Sequence, residues 1–174
     1  MANHVTHVTA GEKQKSATVN ITRDGQVENV VLAYEIEVLP GSFTWQNHNN
    51  NHIYSEGHGS GHHRVSSTCN IKKEGIDLSI EAYRCRGNNY VQTKEKVDLT
   101  EYKTIEVAAS NMSHLSVGID GFTSRAAADK LDVSNVTGLH TICVGYFENV
   151  DSNHPTSAIY SFSAATTITK VKVV

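Results

Sequence analysis

Val97-Asp98-Leu99-Thr100-Glu101-Tyr102-Lys103-Thr104-Ile105 opens the stretch whose reading decides the fold, and that stretch closes at Phe147. Thirty-four positions after its start a second copy begins: Leu131-Asp132-Val133-Ser134-Asn135-Val136-Thr137-Gly138-Leu139-His140-Thr141-Ile142. Both run aliphatic, Asp, aliphatic, hydroxyl residue, spacer, apolar, and both lead into a short β-type segment. Such a pattern describes a corner. Two aliphatics dip into the core while Asp98 with Thr100, and Asp132 with Ser134, bond nearby backbone N–H groups and turn the chain. Between the copies, Leu115-Ser116-Val117-Gly118-Ile119 alternates like a half-buried strand. After them, Ile142-Cys143-Val144-Gly145-Tyr146-Phe147 is a nearly continuous apolar run suited to the centre of a sandwich.

Outward from this hub the chain keeps the same character. β-type runs cover Ala17 to Thr22, Val27 to Val38, Phe43 to Trp45, Val65 to Ile71, Ile76 to Arg84, Tyr90 to Lys94 and the tail from Ile159 to Val174. Asp24-Gly25 marks a hairpin, Lys72-Lys73-Glu74-Gly75 another with Gly75 suited to positive φ, and Arg86-Gly87-Asn88-Asn89 a further turn. Ser124 to Leu131 is the one helical candidate, Ala-rich but too short to stand without packing. About ten short strands spaced by turns predict an all-β, jelly-roll-like antiparallel sandwich. Pro40-Gly41 divides the chain into a β-rich segment 1–40 and a sandwich 41–174. The pattern of 1–40 fits either a small attachment element or the first strands of the main sheet.

Composition excludes several classes. With 174 residues, 39% hydrophobic and 19% charged, one globular domain is expected. A formal charge of −3 offers no footprint for nucleic acid. No run approaches the ~20 apolar residues of a membrane span, and the first residues show no secretory signal, so synthesis in a cytoplasm is expected. Cys69, Cys85 and Cys143 lie in strand-like contexts as small hydrophobes; a Cys69–Cys85 bridge is the alternative, against which a cytoplasmic origin argues.

Chemistry-bearing residues concentrate in 46–64, where Asn, Gly, Ser and His dominate. So much polar backbone predicts a long surface loop. His48, His52, His58, His62 and His63 invite a metal reading, but loop spacing and the scarcity of accompanying Cys or carboxylate set it aside, and no cofactor is expected. No nucleophile elbow, P-loop or dinucleotide fingerprint is present, so catalysis is not expected. Binding fits better. Trp45, Tyr54, Tyr83, Tyr90 and Tyr160 carry flat faces with polar handles on which sugar rings stack, while His48, His52, His58, His62 and Arg64 reach hydroxyls. Core packing is the competing role for each aromatic, Trp45 above all, and the loop could equally contact a neighbouring subunit.

The first corner, the Leu115–Ile119 strand and the second corner running through Leu139-His140-Thr141-Ile142-Cys143-Val144-Gly145 are similar to those of a known family. These are the β-sandwich domains of phage and prophage tail proteins from Gram-positive bacteria. Trp45 and the Ser55-Glu56-Gly57-His58-Gly59-Ser60-Gly61 stretch resemble the preface to that core, so the likeness covers roughly residues 43–174. Similar jelly rolls serve as carbohydrate-binding modules. The resemblance implies a non-enzymatic virion component on a tail fibre, baseplate or capsid, repeated by symmetry as a homo-oligomer and facing a host-surface glycan. It offers no catalytic residues. Residues 1–40 fall outside it and are expected to dock the chain on other virion proteins. A free-standing lectin-like module is the alternative.

Overall fold

The computed structural model describes residues 7–11, 14–23, 26–32, 35–50, 64–83, 87–126, 129–147 and 161–174, with the backbone alone for those up to 32 and for 50, 64, 83, 125, 161 and 162. The described residues form strands and turns and no helix. Strands β1 (His7–Gly11), β2 (Gln14–Arg23) and β3 (Gln26–Leu32) make an antiparallel three-stranded sheet whose ladders, among the described residues, run only within it. Arg23 pairs with Gln26, so the two strands flank Asp24-Gly25 as that hairpin signal requires.

Two layers make the sandwich. One holds β4 (Ile36–Leu39), β6 (Arg64–Ile71), β7 (Ile76–Tyr83), β10 (Thr104–Ala109), β13 (Lys130–Asp132) and β16 (Ser161–Val173), in the order β13-β10-β16-β7-β6 with β4 also on β16. The other holds β5 (Trp45–Asn50), β8 (Asn88–Thr93), β11 (Ser116–Ile119), β12 (Ser124–Ala126) and β15 (Ile142–Tyr146), in the order β12-β11-β15-β8-β5. Six and five give eleven strands in the layers, all pairings being antiparallel. Among the described strands the chain crosses between layers at β4–β5, β5–β6, β7–β8, β8–β10, β10–β11, β12–β13, β13–β15 and β15–β16, the repeated crossing of a wound antiparallel sandwich.

Alternation explains the packing. Ile76, Leu78 and Ile80 of β7 and Ile168, Val171 and Val173 of β16 point inward and meet Val91 of β8 and Ile142 and Val144 of β15, all at most 2% exposed. Burying each such side chain stabilises the fold by about 1.5–3 kcal/mol.

The corner repeat has a reciprocal geometry. A two-stranded sheet joins β9 (Val97–Asp98), which enters the first corner, to β14 (Leu139–His140), which leaves the second. Conversely β13 enters the second corner and pairs with β10, which leaves the first. Each copy is thus tied to the other at both ends.

Several expectations are corrected. Residues 46–50 belong to strand β5 rather than to a surface loop, and Arg64 begins β6. The β5 ladder with β8 fixes six consecutive residues, Trp45 through Asn50, and satisfies polar backbone that an isolated Asn/His run leaves to water. Within the span Ser124 to Leu131 the described residues are not helical: β12 pairs with β11 in one layer and β13 with β10 in the other. The run Val27 to Val38 is two strands, β3 and β4, and β4 lies in the sandwich sheet, so residues 36–39 side with the sandwich rather than with an attachment segment. Asn88 and Asn89 open β8 instead of lying in a turn. Strand β11 is buried along its whole length rather than on alternate residues. At Gly75 the requirement is space, because an added Cβ would lie 2.9 Å from the Ile168 carbonyl oxygen. Cys69, by contrast, is a free thiol as expected, and Cys85 lies outside the described residues.

Candidate functional site

The two outer faces of the sandwich differ in chemistry. On the six-stranded layer, Lys172 bridges Glu35 (3.0 Å) and Glu106 (3.2 Å), and Lys130 reaches Glu106 at 2.9 Å. Thr68 and Ser79 share a 2.6 Å hydroxyl contact, and Asp77 takes hydrogen bonds from Lys72 and Thr167. Exposed pairs of this kind contribute little each and describe a solvated face.

The five-stranded layer is aromatic on its outer face. Register sets His48 of β5, Tyr90 of β8, Gly145 of β15 and Ser116 of β11 in one row across the sheet. The next row runs Gln46, Gln92, Cys143, Gly118. His48 stacks on Tyr90 with ring centroids 5.0 Å apart and planes 9° apart. Tyr90 in turn meets Phe122 edge-on at 5.0 Å and Phe147 at 5.8 Å, while Phe122 and Phe147 stack at 4.7 Å. Two glycines make room. A Cβ on Gly118 would come 2.6 Å from the Phe122 ring, and one on Gly145 would come 2.5 Å from the Tyr90 Cα. Ring pairs of this geometry add about 0.5–1.5 kcal/mol beyond their burial.

Polar groups border the rings. The Nε2 of His48 is shielded and has no hydrogen-bond partner, and the Cys143 thiol donates to Gln92 Oε1 at 3.2 Å. Burial pushes the Tyr90 hydroxyl above its ordinary pKa, with the neighbouring Cys143 adding to the effect. The accessible polar groups beside these rings are the amides of Gln46, exposed, and Gln92, half-buried. From the same end of the sheet, beyond Asn50 and Phe147, the chain continues into residues 51–63 and 148–160.

A strained turn places Phe122. Asp120, Gly121 and Phe122 have φ of 47°, 68° and 64°, three left-handed residues in succession, each non-glycine member costing about 1–3 kcal/mol. The turn is held from outside. Asp120 Oδ1 accepts the Thr141 N–H (2.9 Å) and hydroxyl (3.1 Å), its Oδ2 lies 2.6 Å from His140 Nδ1, and Gly121 N–H donates to Cys143 Sγ at 3.2 Å. His140 Nε2 meets the Thr137 carbonyl at 3.0 Å. Both ring nitrogens therefore face acceptors, which raises the His140 pKa, the Asp120 carboxylate being the main cause. Burial works against the Asp120 carboxylate, but the hydrogen bonds from His140 and Thr141 outweigh it and leave its pKa below the ordinary value. Cys143 is fully buried, and desolvation raises its thiol pKa. Asp120, His140 and Cys143 thus form a bracing group, with the His140 nitrogens already engaged.

Of the residues singled out in the sequence, His48 and Tyr90 lie on this face. Trp45 does not. It points inward from β5 with 7% exposure, so it packs in the core instead of offering a ring to a ligand. Arg64 starts β6 in the other layer, Tyr83 is described by its backbone alone, and His52, Tyr54, His58, His62, His63 and Tyr160 lie outside the described residues. At the corners, Asp98 Oδ1 accepts the Thr100 N–H (3.0 Å) and hydroxyl (2.6 Å), and Asp132 Oδ1 accepts the Ser134 N–H at 2.9 Å. Asp120 and Phe122 were not marked by any sequence pattern, and Gly118, His140, Gly145 and Phe147 were read only as strand or corner residues. Glycines facing aromatics across a strand were the available signal, legible only with the register known. Among the described residues no group of three metal-ligating side chains comes together. Compared with family models, with curated proteins and with solved structures, the chain matches none.

Proposed function

We propose that the chain is a non-catalytic binding module that takes a carbohydrate on the aromatic face of its five-stranded layer. The observation that carries this reading is the cluster of half-buried His48, Tyr90 and Phe147 rings, backed by the buried Phe122 ring and built over glycines, set against a salt-bridged and hydroxylated face on the other layer. Sugar rings present C–H faces to such aromatics and hydroxyls to their polar rims. The corner motifs support a setting on a phage or phage-like particle, with a host-surface glycan as ligand and the chain repeated by symmetry. The separate three-stranded sheet β1–β3 favours that setting over a free-standing lectin, because it offers a second structured element for docking on other particle proteins.

The test is a glycan array probed with the full chain, followed by calorimetry on any sugar retained. Tyr90→Ala and His48→Ala are expected to abolish binding while leaving the far-ultraviolet spectrum of the sandwich intact. Retention of no glycan, or binding indifferent to both replacements, would sink the reading. Removal of residues 1–32 should leave sugar binding unchanged and eliminate association with other particle proteins.

A further inference from the structure

We propose that the aromatic face is under proton control, with His140 as the sensor and the Asp120–Phe122 turn as the element that responds. This rests on the binding reading above and names how that same site is regulated.

The geometry is a relay of four contacts. Phe122 is itself buried and supports the site from behind, through its contacts with Tyr90 at 5.0 Å and Phe147 at 4.7 Å. Its ring is carried by three successive left-handed residues, a backbone state that L side chains avoid unless neighbours enforce it. The enforcing contacts converge on Asp120, and the shortest of them is the 2.6 Å approach of His140 Nδ1. The other nitrogen of that imidazole lies 3.0 Å from the Thr137 carbonyl. A neutral imidazole has one donor and cannot serve two acceptors. Only the cation satisfies both, so losing the proton sets a lone pair either against the Asp120 carboxylate or against Thr137.

Charged groups around the ring divide unevenly. Asp120 faces it from the turn after β11, and Asp98 of β9, which pairs with the adjacent Leu139, also senses its charge. Lys96, just before β9, opposes them without reversing the sign. The direction follows. His140 titrates higher in the folded chain than its ordinary value of about 6.5. Its contribution to holding the turn is therefore complete below that value and disappears as pH rises through the folded one. Sugar binding should then be stronger on the acid side, weakening by at most about tenfold per pH unit for one linked proton.

The experiment is an NMR titration of the full chain from about pH 5.5 to about 8.5, spanning the ordinary histidine value. His140 ring signals, the Gly121 and Phe122 amides and the aromatic signals of Tyr90, Phe122 and Phe147 are followed together. A shared midpoint above the ordinary histidine value, with the turn amides losing exchange protection on the alkaline side, is the expected result. His140→Gln should leave those aromatic signals independent of pH. Turn and aromatic signals that stay fixed while His140 titrates would overturn the proposal, as would a His140 already neutral at about pH 6. Should the variant not fold, the wild-type titration decides alone. None of these readouts needs a ligand, so failure to retain any glycan would refute the binding reading and leave the proton linkage to be judged on its own.

Discussion

Asn89 in β8 donates its side-chain amide to the backbone carbonyl of Ser79 at 2.7 Å, and so joins the five-stranded layer to the six-stranded one through the core. The same nitrogen serves the Thr68 carbonyl at 2.8 Å, and the Asn89 Oδ1 accepts from Asn47 Nδ2 at 2.9 Å. A fully buried amide is thereby satisfied, and it fixes how the layers slide against each other. Asn89→Ala orphans these partners and should cost about 3 kcal/mol. Urea unfolding followed by tryptophan fluorescence measures this, and a loss under about 1 kcal/mol would mean that water replaces the side chain without penalty.

Tyr146 pairs opposite Asn89 and presents the reverse case. Its hydroxyl is buried without a partner, and desolvation pushes its pKa up to about 12. Tyr146→Phe removes the orphan while keeping the ring. Stability should hold or rise by about 1 kcal/mol in the same unfolding assay, whereas a clear drop would reveal a hydrogen bond at that oxygen.

The corners should respond unequally. In each, a backbone bond closes the turn, from Tyr102 N–H to the Leu99 carbonyl and from Val136 N–H to the Val133 carbonyl. Only in the first does the hydroxyl residue also bind the other copy, with Thr100 Oγ1 accepting the Gly138 N–H at 2.9 Å. Asp98→Ala should therefore lower the melting temperature more than Asp132→Ala. Hydrogen bonds from Thr100, and for the other from Ser134, hold both carboxyls below their ordinary pKa. Their contribution is present above about pH 4 and is lost as pH falls through the lowered folded values, so Asn replacements should flatten the acid limb of the stability curve.

Gly145 combines φ of +149° with an added Cβ only 2.5 Å from Tyr90 Cα, which is backbone and cannot step aside. Gly145→Ala should cost roughly 2–4 kcal/mol by thermal unfolding. For Gly118→Ala, the nearest atom is the Phe122 ring at 2.6 Å, with the Ser124 carbonyl oxygen behind it at 2.7 Å. That change should displace Phe122, and a weakened Tyr90–Phe122 contact in NMR with the rest of the fold intact is the expected signature.

Features that depend on neighbours along the chain were legible in the sequence. Asp98 with Thr100 and Asp132 with Ser134 act across two residues, and the Lys72–Gly75 turn closes by a local 2.9 Å bond, so residue type and spacing suffice. The all-β character followed from alternation of the same local kind.

Features decided by pairing between distant strands were not legible. Residues 124–131 have a helical composition, but β11 and β10 each claim one half, and two ladders outweigh the weak propensity of so short a helix. The Asn/His run after Trp45 became a strand because β8 lay alongside it, and that same register turned Trp45 inward and His48 outward. The aromatic face unites His48, Tyr90, Phe122 and Phe147 from four separate places in the chain. Sequence by itself determined the corners and the strand chemistry, because those forces act over a few bonds. Only the tertiary structure decided which side chains share a face, because a one-residue slip in any ladder would send each of them to the opposite side.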